Sequence, residues 1–129
     1  MEEYAKIIHI EALTLIDMLG KLIVPACAAY SKQLAEGVAA KAGIGVDAPA
    51  EAAQVRLLTE KTAELIERAE RLKAVVAAEP EELNARAMYE HEAVIPAMEA
   101  ARQVADELEG RVGKEYWPMP SYADLLFYV

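Results

Sequence analysis

Between Pro49 and Pro80 the chain runs for thirty residues without a glycine or a proline. Within that stretch Val55, Leu58, Thr62, Leu65, Ala69, Leu72 and Val76 recur at alternating steps of three and four. A strand repeats every second residue, so this spacing has one regular solution, a single helix of ~45 Å. Its expected span is 47–78, opened by Asp47-Ala48-Pro49 as an acidic cap with proline in the first turn. The far face carries alternating charges, with Glu64–Arg68 and Glu67–Arg71 in the favourable i,i+4 order. Of 129 residues 26 are alanine and only 8 aromatic, which extends the helical reading to the whole chain.

Two further helices flank this one. The first is expected over 2–42, stopped by Gly43-Ile44-Gly45. Its seam reads Ile8, Ala12, Leu15, Leu19, Leu22, Ala26 and Ala29, while Ile7, Ile10, Leu13, Ile16 and Ile23 occupy much of the remaining circumference. A helix apolar on most sides has to be covered on most sides, and two companions in a small bundle cover only part of it. The third helix is expected over 80–112, opened by Glu79-Pro80-Glu81-Glu82 and carrying a stripe of Leu83, Ala87, Val94, Met98, Ala101, Ala105, Leu108 and Val112. Helices one and three hold prolines in matching contexts, Ile23-Val24-Pro25-Ala26 and Val94-Ile95-Pro96-Ala97. Each should kink its helix and free a backbone carbonyl, and in an up-down-up bundle, where these two helices run parallel, the kinks could lie side by side. Residues 115–129 form a tail with five of the eight aromatics and no basic residue. Together these features specify an all-α fold in one domain, 1–129: an antiparallel three-helix bundle of long helices with an aromatic, proline-rich C-terminal tail.

Charge narrows the partners. The chain carries 13 basic and 22 acidic residues for a net −9. That argues against nucleic acid and anionic membrane surfaces, both of which need cationic neutralisation. Residues 79–114 hold nine acids against four bases, so the acidity sits mostly on the third helix, where a solvated face accounts for it. A single cysteine excludes an internal disulfide and fits a reducing cytoplasm. No apolar run approaches a membrane span and no cationic leader is present.

Reactive constellations are scarce. A di-iron carboxylate bundle needs Glu-x-x-His on inward faces, but Met88 precedes His91 and Lys6 precedes His9 by three. Glu90-His91-Glu92 are sequence neighbours whose side chains leave a helix in different directions, a poor metal set. Gly43-Ile44-Gly45 lacks the strand and further glycine of a phosphate loop. Cys27 has no charged neighbour and reads as a small buried hydrophobe. Glu11 and Asp17, in an apolar stretch, stand at a bundle edge or pair across an interface. No catalytic, cofactor-binding or metal residue is assigned.

The residues also carry a family resemblance. Ile8-His-Ile-Glu-Ala-Leu-Thr-Leu-Ile-Asp-Met18, Val24-Pro25-Ala26 and Tyr30-Ser-Lys-Gln-Leu34 resemble the start of the C-terminal region of type III glutamine synthetases, and Val94-Ile-Pro-Ala-Met-Glu-Ala100 its later helix. Tyr116-Trp-Pro-Met-Pro-Ser-Tyr-Ala-Asp-Leu-Leu-Phe-Tyr-Val129 is similar to the family's terminal Trp-Pro-x-Pro-[Thr/Ser]-Tyr-x-Asp-Leu-Leu-Phe signature, with Tyr128 where an acidic residue is expected. The resemblance implies one part of a much longer enzyme that makes L-glutamine from L-glutamate, ammonia and ATP with a divalent metal, Mg or Mn. It implies a homo-oligomer of two stacked hexameric rings whose active sites lie in the preceding catalytic domain. For this segment it implies a structural, oligomer-assembly role, with the catalytic domain and neighbouring subunits as partners. Trp117, Tyr122, Leu125, Leu126, Phe127, Ile16 and Ile23 are the candidate interface anchors. The competing reading is a free-standing helical protein-interaction module without catalytic activity.

Overall fold

Alanine-rich segments with few breakers wind into helices here as propensity dictates. The computed structural model describes residues 2–119, and among these it contains helices and no strand. The first rod comprises α1 (Glu2–Met18), a π-turn at Leu19–Ile23 and α2 (Val24–Gly43). The second is α3 (Pro49–Ala77). The third comprises α4 (Leu83–Tyr89), a π-turn at Glu90–Val94 and α5 (Ile95–Glu109). α3 packs against α2 along one flank and α5 along another, and α1 closes on α3 and on the second π-turn.

Both interior prolines are accommodated the same way. Proline lacks an N–H, and its ring collides with the carbonyl four residues back. In each rod the turn before it widens to five-residue spacing: Val24 N–H bonds to Leu19 O ahead of Pro25, and Ile95 N–H to Glu90 O ahead of Pro96. The extra residue in the turn moves the obstructed carbonyl aside.

That residue also corrects the expected seam of the first rod. Ile8, Ala12, Leu15 and Leu19 are buried as anticipated. Beyond the π-turn the buried positions are Ile23 and Cys27, with Tyr30 and Leu34 packed against the core. Leu22, read as core, is 44% exposed, and Ala29 is exposed. One added residue rotates everything downstream by one position. α3 has no proline in its interior and keeps its expected seam, with Leu58, Leu65, Ala69, Leu72 and Val76 buried.

The two π-turns do not sit side by side. Gly113 approaches Tyr30 so closely that an added Cβ would lie 2.9 Å from its Cε1. Gly113 is seventeen residues past Pro96, whereas Tyr30 is five past Pro25. The rods are therefore offset, and the second π-turn rests on α1 instead of on the first.

Two helix starts differ from expectation, and the third rod ends at Glu109, short of the expected 112. α3 begins with Ala48 at the cap position and no side-chain cap bond, so Asp47 does not cap it. Pro49 removes one of the N–H groups a cap would serve, and Glu51 in the first turn pairs with Lys41 at 2.7 Å. The third rod starts at Leu83 instead of 80, because Glu82 folds back to accept from Asn84 N (3.1 Å) and Ala85 N (2.7 Å). At the end of α2, Gly45 takes φ +78° while its N–H bonds to Ala42 O, a left-handed stop suited to glycine.

Candidate functional site

Two regions stand out from the core: the outer face of α1, and a buried ionic cluster beneath it.

The spacing of α1 places Ile8, Ala12 and Leu15 inward, which turns Ile7, Ile10 and Leu13 outward. These three are 52%, 61% and 47% exposed. Ile10, Glu11, Thr14, Leu15 and Met18 from α1 and Arg102 from α5 line an adjoining recess of about 350 Å³. Isolated exposed leucines need no explanation, but three large aliphatics on one face beside an apolar recess form a patch. Glu11 is exposed on this face, and Asp17 pairs with Lys21 at 2.8 Å on the surface. The two acids thus stand at the edge of the bundle.

The cluster joins α1, the α3–α4 connection, α4 and the second π-turn. His9 Nδ1 on α1 lies 3.1 Å from Glu79 Oε2, in the connection between α3 and α4. Arg86 on α4 places Nη2 3.1 Å from the same oxygen and donates through Nε to Glu90 Oε1 at 3.2 Å. Glu90 opens the second π-turn and is 1% exposed. Burial, and then the charge of Glu79, push its carboxyl above the usual carboxylate range, with Arg86 opposing in part. Next to it, Tyr89 Oη donates to Val75 O at 2.6 Å, fastening the start of the third rod to α3.

Sequence reasoning missed this cluster by taking Glu90, His91 and Glu92 together. Glu90 is buried, while His91 and Glu92 face solvent. A signal was present, since the stripe Leu83, Ala87, Val94 skips the position near 90 that an inward seam requires, and Arg86 stands four residues before it. Among the described residues no group of three or more His, Cys, Asp or Glu is placed to hold a metal ion. Cys27 is fully buried, and burial pushes its thiol up to about 11, far from a reactive thiolate.

Of the candidate anchors, Ile23 lies in the chain's own core, 4% exposed, and Ile16 packs partly buried against that core. Trp117 also packs on the core, its Nε1 buried without a partner among the described residues. Tyr116 stacks at a tilt on Tyr30, ring centroids 5.3 Å apart, over Gly113. Tyr122, Leu125, Leu126 and Phe127 lie outside the described residues. Among the described residues no helix is long and apolar enough to cross a membrane.

Comparison with known proteins gives consistent matches. The family model for the glutamine synthetase C-terminal domain matches residues 1–42, which is the first rod with its π-turn. The chain is 32% identical to a type-3 glutamine synthetase of Dictyostelium discoideum, over 98% of this chain and 18% of that one. It is 30% identical to a glutamine synthetase of Butyrivibrio fibrisolvens over 98% of this chain and 19% of that one. A glutamine synthetase of Bacteroides fragilis (strain YCH46) is 28% identical, again over 98% and 18%. The chain spans about a fifth of the length of these curated relatives.

Proposed function

Starting from a chain homologous over nearly its whole length to the C-terminal domain of type-3 glutamine synthetases, we propose that it is the structural, assembly-supporting domain of a longer glutamate–ammonia ligase. In this reading the outer face of α1 docks on the catalytic part of a neighbouring subunit, so that assembly depends on it. The observation that carries it is the Ile7–Ile10–Leu13 patch, which lies within the stretch the family model matches. Chemistry at the glutamate, ATP and metal sites belongs to that catalytic part, and assembly into two stacked hexameric rings is carried over with it.

The three rods are read as an antiparallel bundle. Support comes from the Lys41–Glu51 pair near the first connection and the His9–Glu79 contact toward the other end of the first rod. Lys61 to Glu107 at 2.7 Å, and Arg68 Nη1 to Ala100 O at 2.7 Å, tie α3 to α5 in the same sense. With these links in place, residues 2–119 act as a brace that presents α1.

A size blot of source-cell lysate, probed with an antibody against this segment, tests the proposal. A band several times larger than 14.1 kDa is expected. A band at 14.1 kDa alone would replace the ligase domain with a free-standing interaction module using the same α1 face.

A further inference from the structure

The buried cluster has an unbalanced set of hydrogen-bonding groups. Glu79 uses Oε2 for both His9 and Arg86, and Glu90 uses Oε1 for Arg86. Glu79 Oε1 and Glu90 Oε2 are buried with no partner among the described residues. Both carboxylates, themselves buried, flank one guanidinium, the single fixed positive charge of the cluster; His9 on the far side of Glu79 adds a second only when protonated. The charged or titratable groups around Glu90 are Glu79 from the α3–α4 connection, Arg86 from α4 and His9 from α1. The basic residues late in α3, Arg71 and Lys73, are exposed.

Two ionised carboxylates held by one guanidinium, each with a buried, unpartnered oxygen, cannot both be comfortable without water. A proton resolves both problems, because it removes the excess charge and turns one orphan acceptor into a donor for the other. We infer that Glu90 and Glu79 share one proton: Glu90 stays the neutral acid, and its Oε2–H donates to Glu79 Oε1, closing a clasp that ties α1 to the α3–α4 connection and the second π-turn. The clasp belongs to the fold of this chain and is independent of what covers the α1 patch. The clasp opens as the pH rises. A carboxyl held above its unfolded value contributes stability that is complete below that value, near 4.5, and is lost as pH climbs through the folded one.

Carbon-13 NMR of the glutamate side-chain carboxyls in the 129-residue chain, followed from acid to alkaline pH, tests this. The Glu90 carboxyl carbon is expected to titrate at higher pH than exposed glutamates such as Glu60. Glu90→Gln keeps a donor toward Glu79 and cannot ionise, so its melting temperature should lose the decline with pH that the unmodified chain shows over the same window. A Glu90 carbon that titrates with or below the exposed glutamates overturns the shared proton. So does a folded Glu90→Gln variant that keeps the original decline. If that variant fails to fold, the carboxyl titration of the unmodified chain still decides.

Discussion

Leu19 and Glu90 occupy the same position in two copies of one device. Each opens a π-turn that ends one residue before a β-branched residue and a proline, and each is buried, at 0% and 1% exposure. The residue four positions earlier differs: Leu15 in the first rod, Arg86 in the third. The first turn is therefore filled by aliphatic packing and the second by a carboxyl held in an ionic cluster. Proline decides the backbone in both cases. What the widened turn encloses is decided by the residues brought against it, from α3 at the first turn and from α1, α3 and the α3–α4 connection at the second.

That contrast can be broken by exchange. Leu19→Glu puts an acid at the matching position without an arginine to meet it, and should cost more than ~4 kcal/mol in urea unfolding. A mild loss would mean the first turn is wetter than its packing implies. Next in size is the register step. Ile23→Ala should cost ~2–5 kcal/mol, and Leu22→Ala less than ~1 kcal/mol. Equal losses at the two neighbours would restore the uninterrupted seam and remove the π-turn.

The sequence is legible wherever one rule acts alone. α3 reads directly from its heptad because nothing in its interior interrupts the helix. The first rod reads correctly up to Leu19 and then one residue out of step, because spacing shows that a proline disturbs the helix and not how the helix absorbs it. Lys61 and Arg68 look like solvent charges in sequence, yet they reach across to Glu107 and Ala100 on α5; a contact between rods leaves no trace in the local pattern. The ionic cluster needs His9, Glu79, Arg86 and Glu90 from two rods and the connection between α3 and α4, and only its Arg86–Glu90 pair is a local spacing. The outer stripe of α1, by contrast, is legible in the sequence as an excess of apolar residues.

Smaller effects sharpen the picture at the ends of the third rod. Gly113→Ala should cost ~1–3 kcal/mol, since its methyl meets the Tyr30 ring and that ring is held by Tyr116. No loss in a thermal melt would show that the Tyr30–Tyr116 pair yields easily. At the other end, hydrogen bonds from Ala85 N and Asn84 N hold the Glu82 carboxyl below its usual range. Its contribution is present above the ordinary value and lost as pH falls through the folded one, the reverse of Glu90. Glu82→Gln should therefore show the smallest loss of the set at neutral pH, fading in acid. A loss that grows in acid would contradict the cap.

The first and third rods differ most on their outer faces, apolar on α1 and charged along α5 at Glu99, Arg102 and Asp106. The most direct test places Ile10→Asp in the longer chain and measures its assembly by sedimentation, alongside the melting temperature of the 129-residue segment with the same change. The account predicts weakened assembly of the longer protein with the segment's melting temperature nearly unchanged, because Ile10 points away from the core. Intact assembly with Asp at position 10 would contradict docking through α1.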